Sequence, residues 1–345
     1  MLSGAVGVPL AAILGSGSAS ATPAASTSAV RRAVEPGVSV APSSALTHLA
    51  VPAGARVRLR TAAGWQPWRT ATGCPGGPDG SAAPPTALVP AAGALDYELG
   101  SGGEVTELNV GATRPGAAGV LPLSTDSRLR PRYLSRAAWG ADESYRYNPD
   151  GTLDTPPAFF GVQTLTVHHS GEDNPIQDPI AHLRAIYYNQ AVAMDWGDIG
   201  YQLLIDADGR VYEGVYSDTD RVPVFGPTPG PDGRPMMVNG AHVGGFNAGN
   251  VGICVLGNFM TAPPTTAARR SLTAVLALLA AATRLDPLGT TNYVNPISGS
   301  TATIATIAGH QDWHTANPAA GATLCPGDHL YALLPRIRQD VAALV

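Results

Sequence analysis

Thr164-Leu165-Thr166-Val167-His168-His169 is the stretch on which the fold turns. A strand sends successive side chains to opposite faces, so Thr164, Thr166 and His168 share one side while Leu165, Val167 and His169 share the other. The apolar side calls for a core to lie on. The polar side ends in a histidine at the strand terminus, where side chains from neighbouring strands converge. His168 is therefore a candidate ligand, and His169, facing the apolar side, is expected in a hydrogen-bonded structural role.

The strand itself reads from residue 162, and further short apolar runs at 201–206, 211–213, 251–256 and 303–307 predict others. Three helices separate them. Asp178 as N-cap with Pro179 at the first helical position starts one that buries Ile180, Leu183 and Tyr187. A second carries Leu272, Val275, Leu276 and Leu279, and a third, after Pro326-Gly327-Asp328, is kinked or restarted at Pro335. The alternation predicts an α/β unit over residues 128–345, a mixed central β-sheet flanked by helices.

Residues 45–110 show strand-like runs between Gly/Pro turns and predict a small all-β N-terminal unit, joined by a Pro/Gly linker at 111–127. In its clearest strand Val57 and Leu59 point to one side and Arg56, Arg58 and Arg60 to the other. Trp65 and Trp68 are expected in the β core, with a sugar-stacking platform as the alternative. The arginines are expected on a solvated face, with a grip on acidic polymers as the alternative. Residues 31–44 read as a flexible leader. Residues 1–30 are small and apolar with Ala19-Ser20-Ala21 as a cleavage pattern, and read as a signal peptide, so a secreted protein is expected. No other run approaches the roughly 20 apolar residues of a membrane span.

The 21 basic and 26 acidic residues leave a net charge of -5, which offers nothing to nucleic acid or anionic membranes. Three cysteines are too few for a disulfide framework. Cys254, in an apolar run, is expected as a small core residue, and Cys74 sits in a Gly/Pro loop without an evident partner. His310 closes the turn Ala308-Gly309, and Cys325 follows before Pro326-Gly327. Two histidines and a thiolate form a borderline-soft set that suits zinc, with a fourth position left for water. Zinc so held lowers the pKa of water to about 7 and polarises a carbonyl, as amide hydrolysis requires.

In chain order come Ser135-Arg136-Ala137-Ala138-Trp139-Gly140-Ala141, Leu165-Thr166-Val167-His168-His169-Ser170, Asp198-Ile199-Gly200-Tyr201 and Asp208-Gly209-Arg210-Val211-Tyr212-Glu213-Gly214. Gly240-Ala241-His242, Val251-Gly252-Ile253, Gly257-Asn258-Phe259, Gly309-His310 and Cys325-Pro326-Gly327-Asp328 follow. Through these segments residues 127–341 resemble the peptidoglycan recognition protein family, the branch of type 2 N-acetylmuramoyl-L-alanine amidases. The resemblance implies Zn2+ as cofactor, bound by His168, His310 and Cys325. It implies that Tyr201 hydrogen-bonds the attacking water or the developing oxyanion, and that Thr323 contributes a neutral hydrogen bond near the reaction centre. His242, with Asn247 and His169, is assigned to the substrate groove. The implied substrate is peptidoglycan, cut between N-acetylmuramic acid and L-alanine by a secreted, cell-wall-directed monomer. The alternative is a non-catalytic peptidoglycan-binding module, members of which typically lack the cysteine.

The sequence departs from the family pattern in three places. The stretch from His310 to Cys325 is longer than usual, which keeps His314 as a second candidate ligand. Residues 222–237, rich in Pro and Gly, read as an insertion beside the groove, and Gln311 stands where an arginine commonly follows the histidine.

Overall fold

A computed structural model describes residues 27–73, 76–79, 86–111, 116–120, 131–218 and 223–345. Eight strands form the first unit: β1 (Ser28–Val34), β2 (His48–Pro52), β3 (Arg56–Thr61), β4 (Gly64–Trp65), β5 (Arg69–Thr70), β6 (Thr86–Pro90), β7 (Asp96–Leu99) and β8 (Gly103–Asn109). They make one sheet in the order β1-β8-β2-β6 and a second in which β3 pairs with β4, β5 and β7. Alternation along β2 and β6 gives this unit two apolar faces. Leu49, Val51 and Val89 point into its own core, whereas Ala50 and Leu88 pack on the second unit.

Several expectations for this unit are corrected. Part of the stretch read as a flexible leader, 31–44, is strand: β1 pairs antiparallel with β8 from Ser28↔Asn109 to Val34↔Gly103. Arg32 and Ser43 both hold the buried Glu107 carboxylate, so backbone pairing and a satisfied buried charge order residues whose composition alone suggests a tail. Of the expected signal stretch, residues 1–26 lie outside the described residues, as does Cys74. Trp65 and Trp68 are not core residues. Trp65 is 38% exposed, and the Arg58 guanidinium lies 4.6 Å from its ring centre and 4.8 Å from that of Trp68. The arginine row is not simply solvated, because the register sets Arg58 opposite Glu98 and Arg60 opposite Asp96, and both pairs are ion pairs.

The second unit begins earlier than its helices. β9 (Gly119–Val120), inside the expected linker, adds an edge strand to β10 (Arg132–Leu134). Helix α1 (Arg136–Trp139) follows, then β11 (Phe159–Gly161), β12 (Thr164–His169), α2 (Pro179–Tyr188), β13 (Leu203–Ile205), β14 (Val211–Glu213), β15 (Met236–Val238) and β16 (Asn250–Val255). Next are α3 (Thr266–Thr283), β17 (Thr290–Val294), β18 (Thr301–Ala305), β19 (Ile307–Gly309), α4 (His310–Ala316), α5 (Asp328–Tyr331) and α6 (Leu334–Ala342). The central sheet is seven-stranded and mixed, in the order β19-β12-β16-β13-β14-β10-β9. Leu165, Val167, Val251 and Ile253 pack on α3 and α6 on one face; Leu204 and Cys254 pack on α2 on the other. This is the expected α/β sheet flanked by helices.

The helix boundaries follow local chemistry. The Asp178 carboxylate accepts from the backbone of Ile180 and Ala181, with Pro179 in the first turn, and Thr265 caps α3 through Ala268 N–H. Pro335 does restart the last helix: α5 ends at Tyr331 and α6 begins at Leu334. The strand expected at 303–307 is two elements. β18 pairs with β17 in a separate hairpin, and β19 alone joins the central sheet. Within the expected insertion, Val224, Phe225 and Met237 are buried in the core that α3 closes, and Arg234 donates to Thr283 O at its end.

Candidate metal centre

Parallel pairing of β12 with β19 sets Val167 opposite Gly309, so His168, near the carboxyl end of β12, and His310, just beyond that of β19, stand side by side. That is where open α/β sheets gather ligands. α4 fixes His310 from below. Its Trp313 is fully buried and donates from Nε1 to Thr166 Oγ1 at 2.8 Å, on the same polar face of β12 as His168. Cys325 reaches the pair from the loop before α5, held by a bond of 2.8 Å from Gln311 N to its carbonyl.

One ligand atom each from His168, His310 and Cys325 lies within 4.8 Å of the others, all three residues being buried. Cys325 Sγ and His168 Nδ1 are 3.6 Å apart, and the edge between a sulfur and a nitrogen of a tetrahedral zinc site is also about 3.6 Å. His169 N–H points at Cys325 Sγ at 3.3 Å, a contact that favours the thiolate over the thiol. The donor set therefore fits zinc. The long stretch between His310 and Cys325 is taken up by α4 and a 3₁₀ turn at Pro318–Ala320, and His314, one turn along α4, is not part of the cluster.

The wiring behind His168 selects its tautomer. His242 Nε2 lies 2.9 Å from Asn250 O, which only accepts, so that nitrogen carries the proton. His242 Nδ1 is then an acceptor, and His168 Nε2, 3.0 Å away, donates to it. The lone pair of His168 is left on Nδ1, the nitrogen that faces Cys325. Gly252 makes this possible, since a Cβ there would meet the His242 ring at 2.5 Å. His242, expected in the groove, is buried behind His168. Asn250 and Gly252 were not singled out as site residues; their signal was a glycine amid an apolar strand.

Tyr201 enters from the start of β13, its ring centre 5.2 Å from that of His168. Its segment is anchored by Asp198, which accepts from Arg136 at 2.9 Å and from Tyr216 N at 3.0 Å. Burial works against the charge of Arg136, but Asp198 and Glu143 outweigh it and raise its pKa above the ordinary value. The Ser135-to-Ala141 segment is thereby explained as structure: Ser135 caps α1, and Trp139, wholly buried, donates to Glu213 O. Thr323 Oγ1 accepts from Cys325 N at 3.1 Å, which leaves its own proton to give. His169 Nδ1 accepts from Phe259 N at 3.3 Å, in keeping with a structural role, and the residue also lines a cleft of ≈ 570 Å³ with Thr323 and Cys325.

Asn247 is completely buried. Its Oδ1 accepts from the backbone of His242 and Val243, while its Nδ2 donates to Gly77 O and Asp79 Oδ1 of the β unit, both at 2.9 Å. The structure brings the three expected ligands, Tyr201 and His242 together, and sets Asn247 beneath the other unit.

The family model described as N-acetylmuramoyl-L-alanine amidase matches residues 159–328, which lie within the second unit. The chain is 31% identical to human N-acetylmuramoyl-L-alanine amidase over 146 residues, 41% of this chain and 21% of that protein. It is 29% identical to Drosophila melanogaster peptidoglycan-recognition protein SC2 over 201 residues, 57% of this chain and 82% of that one. The crystal structure of Drosophila peptidoglycan recognition protein SD aligns at 22% identity with a TM-score of 0.39, covering 59% of this chain and 93% of that one. The chain spans only about a fifth of the human amidase.

Proposed function

We propose that the chain is a secreted zinc amidase that hydrolyses the bond between N-acetylmuramic acid and L-alanine in peptidoglycan. The observation that carries this reading is the buried triplet of His168, His310 and Cys325, with a lone pair of His168 directed toward the thiolate. Zinc held there supplies a nucleophilic water at neutral pH and polarises the lactyl carbonyl. The remaining work falls to the chain. Tyr201 donates its phenol proton to the oxygen on which charge develops, and Thr323 donates its hydroxyl proton on the cysteine side. His242 holds its proton on Nε2 and keeps His168 in one tautomer. The carbonyl carbon gains a hydroxyl, its bond to nitrogen breaks, and the amine of L-alanine takes the proton.

The presence of Cys325 favours the enzyme over the binding module, because a thiolate beside two histidines is a donor set that suits zinc. The apolar first stretch supports export, and no helix among the described residues is long and apolar enough to cross a membrane. The test is release of free peptide from purified peptidoglycan by the zinc-loaded chain. Release that a chelator stops, and that falls about 100-fold or more in Tyr201→Phe, is expected. No release by a chain shown to contain zinc sinks the proposal.

A further inference from the structure

Tyr201 and Thr323 are expected to act on one carbonyl, yet they open into different cavities. Tyr201 lines a small one of ≈ 40 Å³ with Ser170 and Glu172, whereas Thr323 lines the cleft of ≈ 570 Å³ with His169 and Cys325. Gly73 of the β unit lines both. The segments on either side of residues 74–75 are fastened to the second unit. Thr72 Oγ1 donates to Gly171 O at 2.6 Å, and Gly77 N donates to Ala241 O at 3.0 Å. Asp79 Oδ1 accepts from Asn247 N at 3.1 Å and from Asn247 Nδ2 at 2.9 Å. At Gly76 the approach is so close that a Cβ would lie 2.9 Å from Ala241 O and 3.3 Å from His242 Cα.

We infer that the β unit is a built-in inhibitor: residues 72–73 and 76–79 plug the substrate groove, and the site opens when they are lifted. This rests on the amidase reading for what the groove binds. A glycan-linked peptide reaching from Tyr201 to Thr323 would have to pass Gly73, which lines the cavity beside each. The plug is held by hydrogen bonds between polar groups, which water can replace when it lifts. Asp79 Oδ2 is buried without a hydrogen-bond partner among the described residues. The intact chain then binds ligand with an affinity lowered by the fraction of molecules that are open.

The probe is a soluble N-acetylmuramoyl peptide, its binding measured by equilibrium dialysis against the full-length metal-free chain and its hydrolysis against the zinc-loaded chain. Asp79→Ala removes the bonds to Asn247, and Gly76→Val drives the segment off Ala241. Each is expected to tighten binding at least about tenfold over the intact chain. Backbone hydrogen exchange is expected to quicken at Gly77 and Asn247 while α3 stays protected, which separates lifting of the plug from unfolding. Equal binding by all three chains overturns the inference. Tighter binding by the variants with no hydrolysis by any form keeps the inhibitor and removes the amidase.

Discussion

Two buried histidine pairs in this molecule share one wiring plan and differ at one end. In the second unit the order is Asn250 O, His242, His168, with spacings of 2.9 and 3.0 Å. Between the two units it is Glu172, His182, His48, with spacings of 3.0 and 3.1 Å. In each, an oxygen that only accepts fixes a proton on the first ring, whose other nitrogen accepts from the second ring and leaves a lone pair on its Nδ1. At His168 that lone pair meets Cys325. At His48 the same nitrogen is buried without a hydrogen-bond partner among the described residues. The same wiring thus ends at a cluster of zinc-type donors in one place and at a plain core contact in the other. Burial and the neighbouring His182 together hold the pKa of His48 well below its ordinary value, so that His48 stays neutral.

Removing the ligands should turn the first pair into a copy of the second. Cys325→Ala is expected to lose bound zinc and to lower peptide release about 1,000-fold or more, read by metal analysis and by product assay. The tautomer argument predicts a split at His242. His242→Gln keeps a donor for Asn250 O but gives His168 Nε2 no acceptor, and should weaken zinc binding about 10- to 100-fold in chelator competition. His242→Asn, whose amide oxygen stands near the old Nδ1, should lose less; the reverse order would refute the wiring. At the other pair, His182→Leu strips Glu172 of its histidine donor inside the interface. A loss of about 1–3 kcal/mol in urea unfolding is expected.

The smallest effect is a dependence on pH. The unfolded chain protonates His48 at about pH 6.5, while the folded chain does so only at lower pH, so the unfolded state binds more protons in between. The contribution of His48 to stability is full above about pH 6.5 and is lost as the pH falls toward the depressed folded value. His48→Gln keeps a donor for His182 and does not titrate. Its urea midpoint should fall less steeply than that of the parent between about pH 6.5 and 5; parallel curves would show that His48 is not the group responsible.

His168 was legible from strand alternation alone, and α2 from Asp178 and Pro179, because these signals act over a few residues. β1 was not legible. Its Ala, Val and Arg residues carry no pattern of their own, and its order comes from pairing with β8 and from the shared hold on Glu107. Trp65 and Trp68 misled for the opposite reason: tryptophan usually marks a core, but arginines from β3 cover these rings at the surface.

The sequence by itself determined which side chains face which way along each strand, where the main helices begin, and that two histidines and a cysteine of zinc-binding type are available. Covalent geometry and nearest neighbours suffice for those. Only the tertiary structure decided that His310 comes beside His168, that His242 stands behind the ligand, and that the β unit covers Asn247. Each of these is a matter of register or docking between segments far apart in the chain, set by which apolar faces must be buried together and which buried polar atoms must find partners.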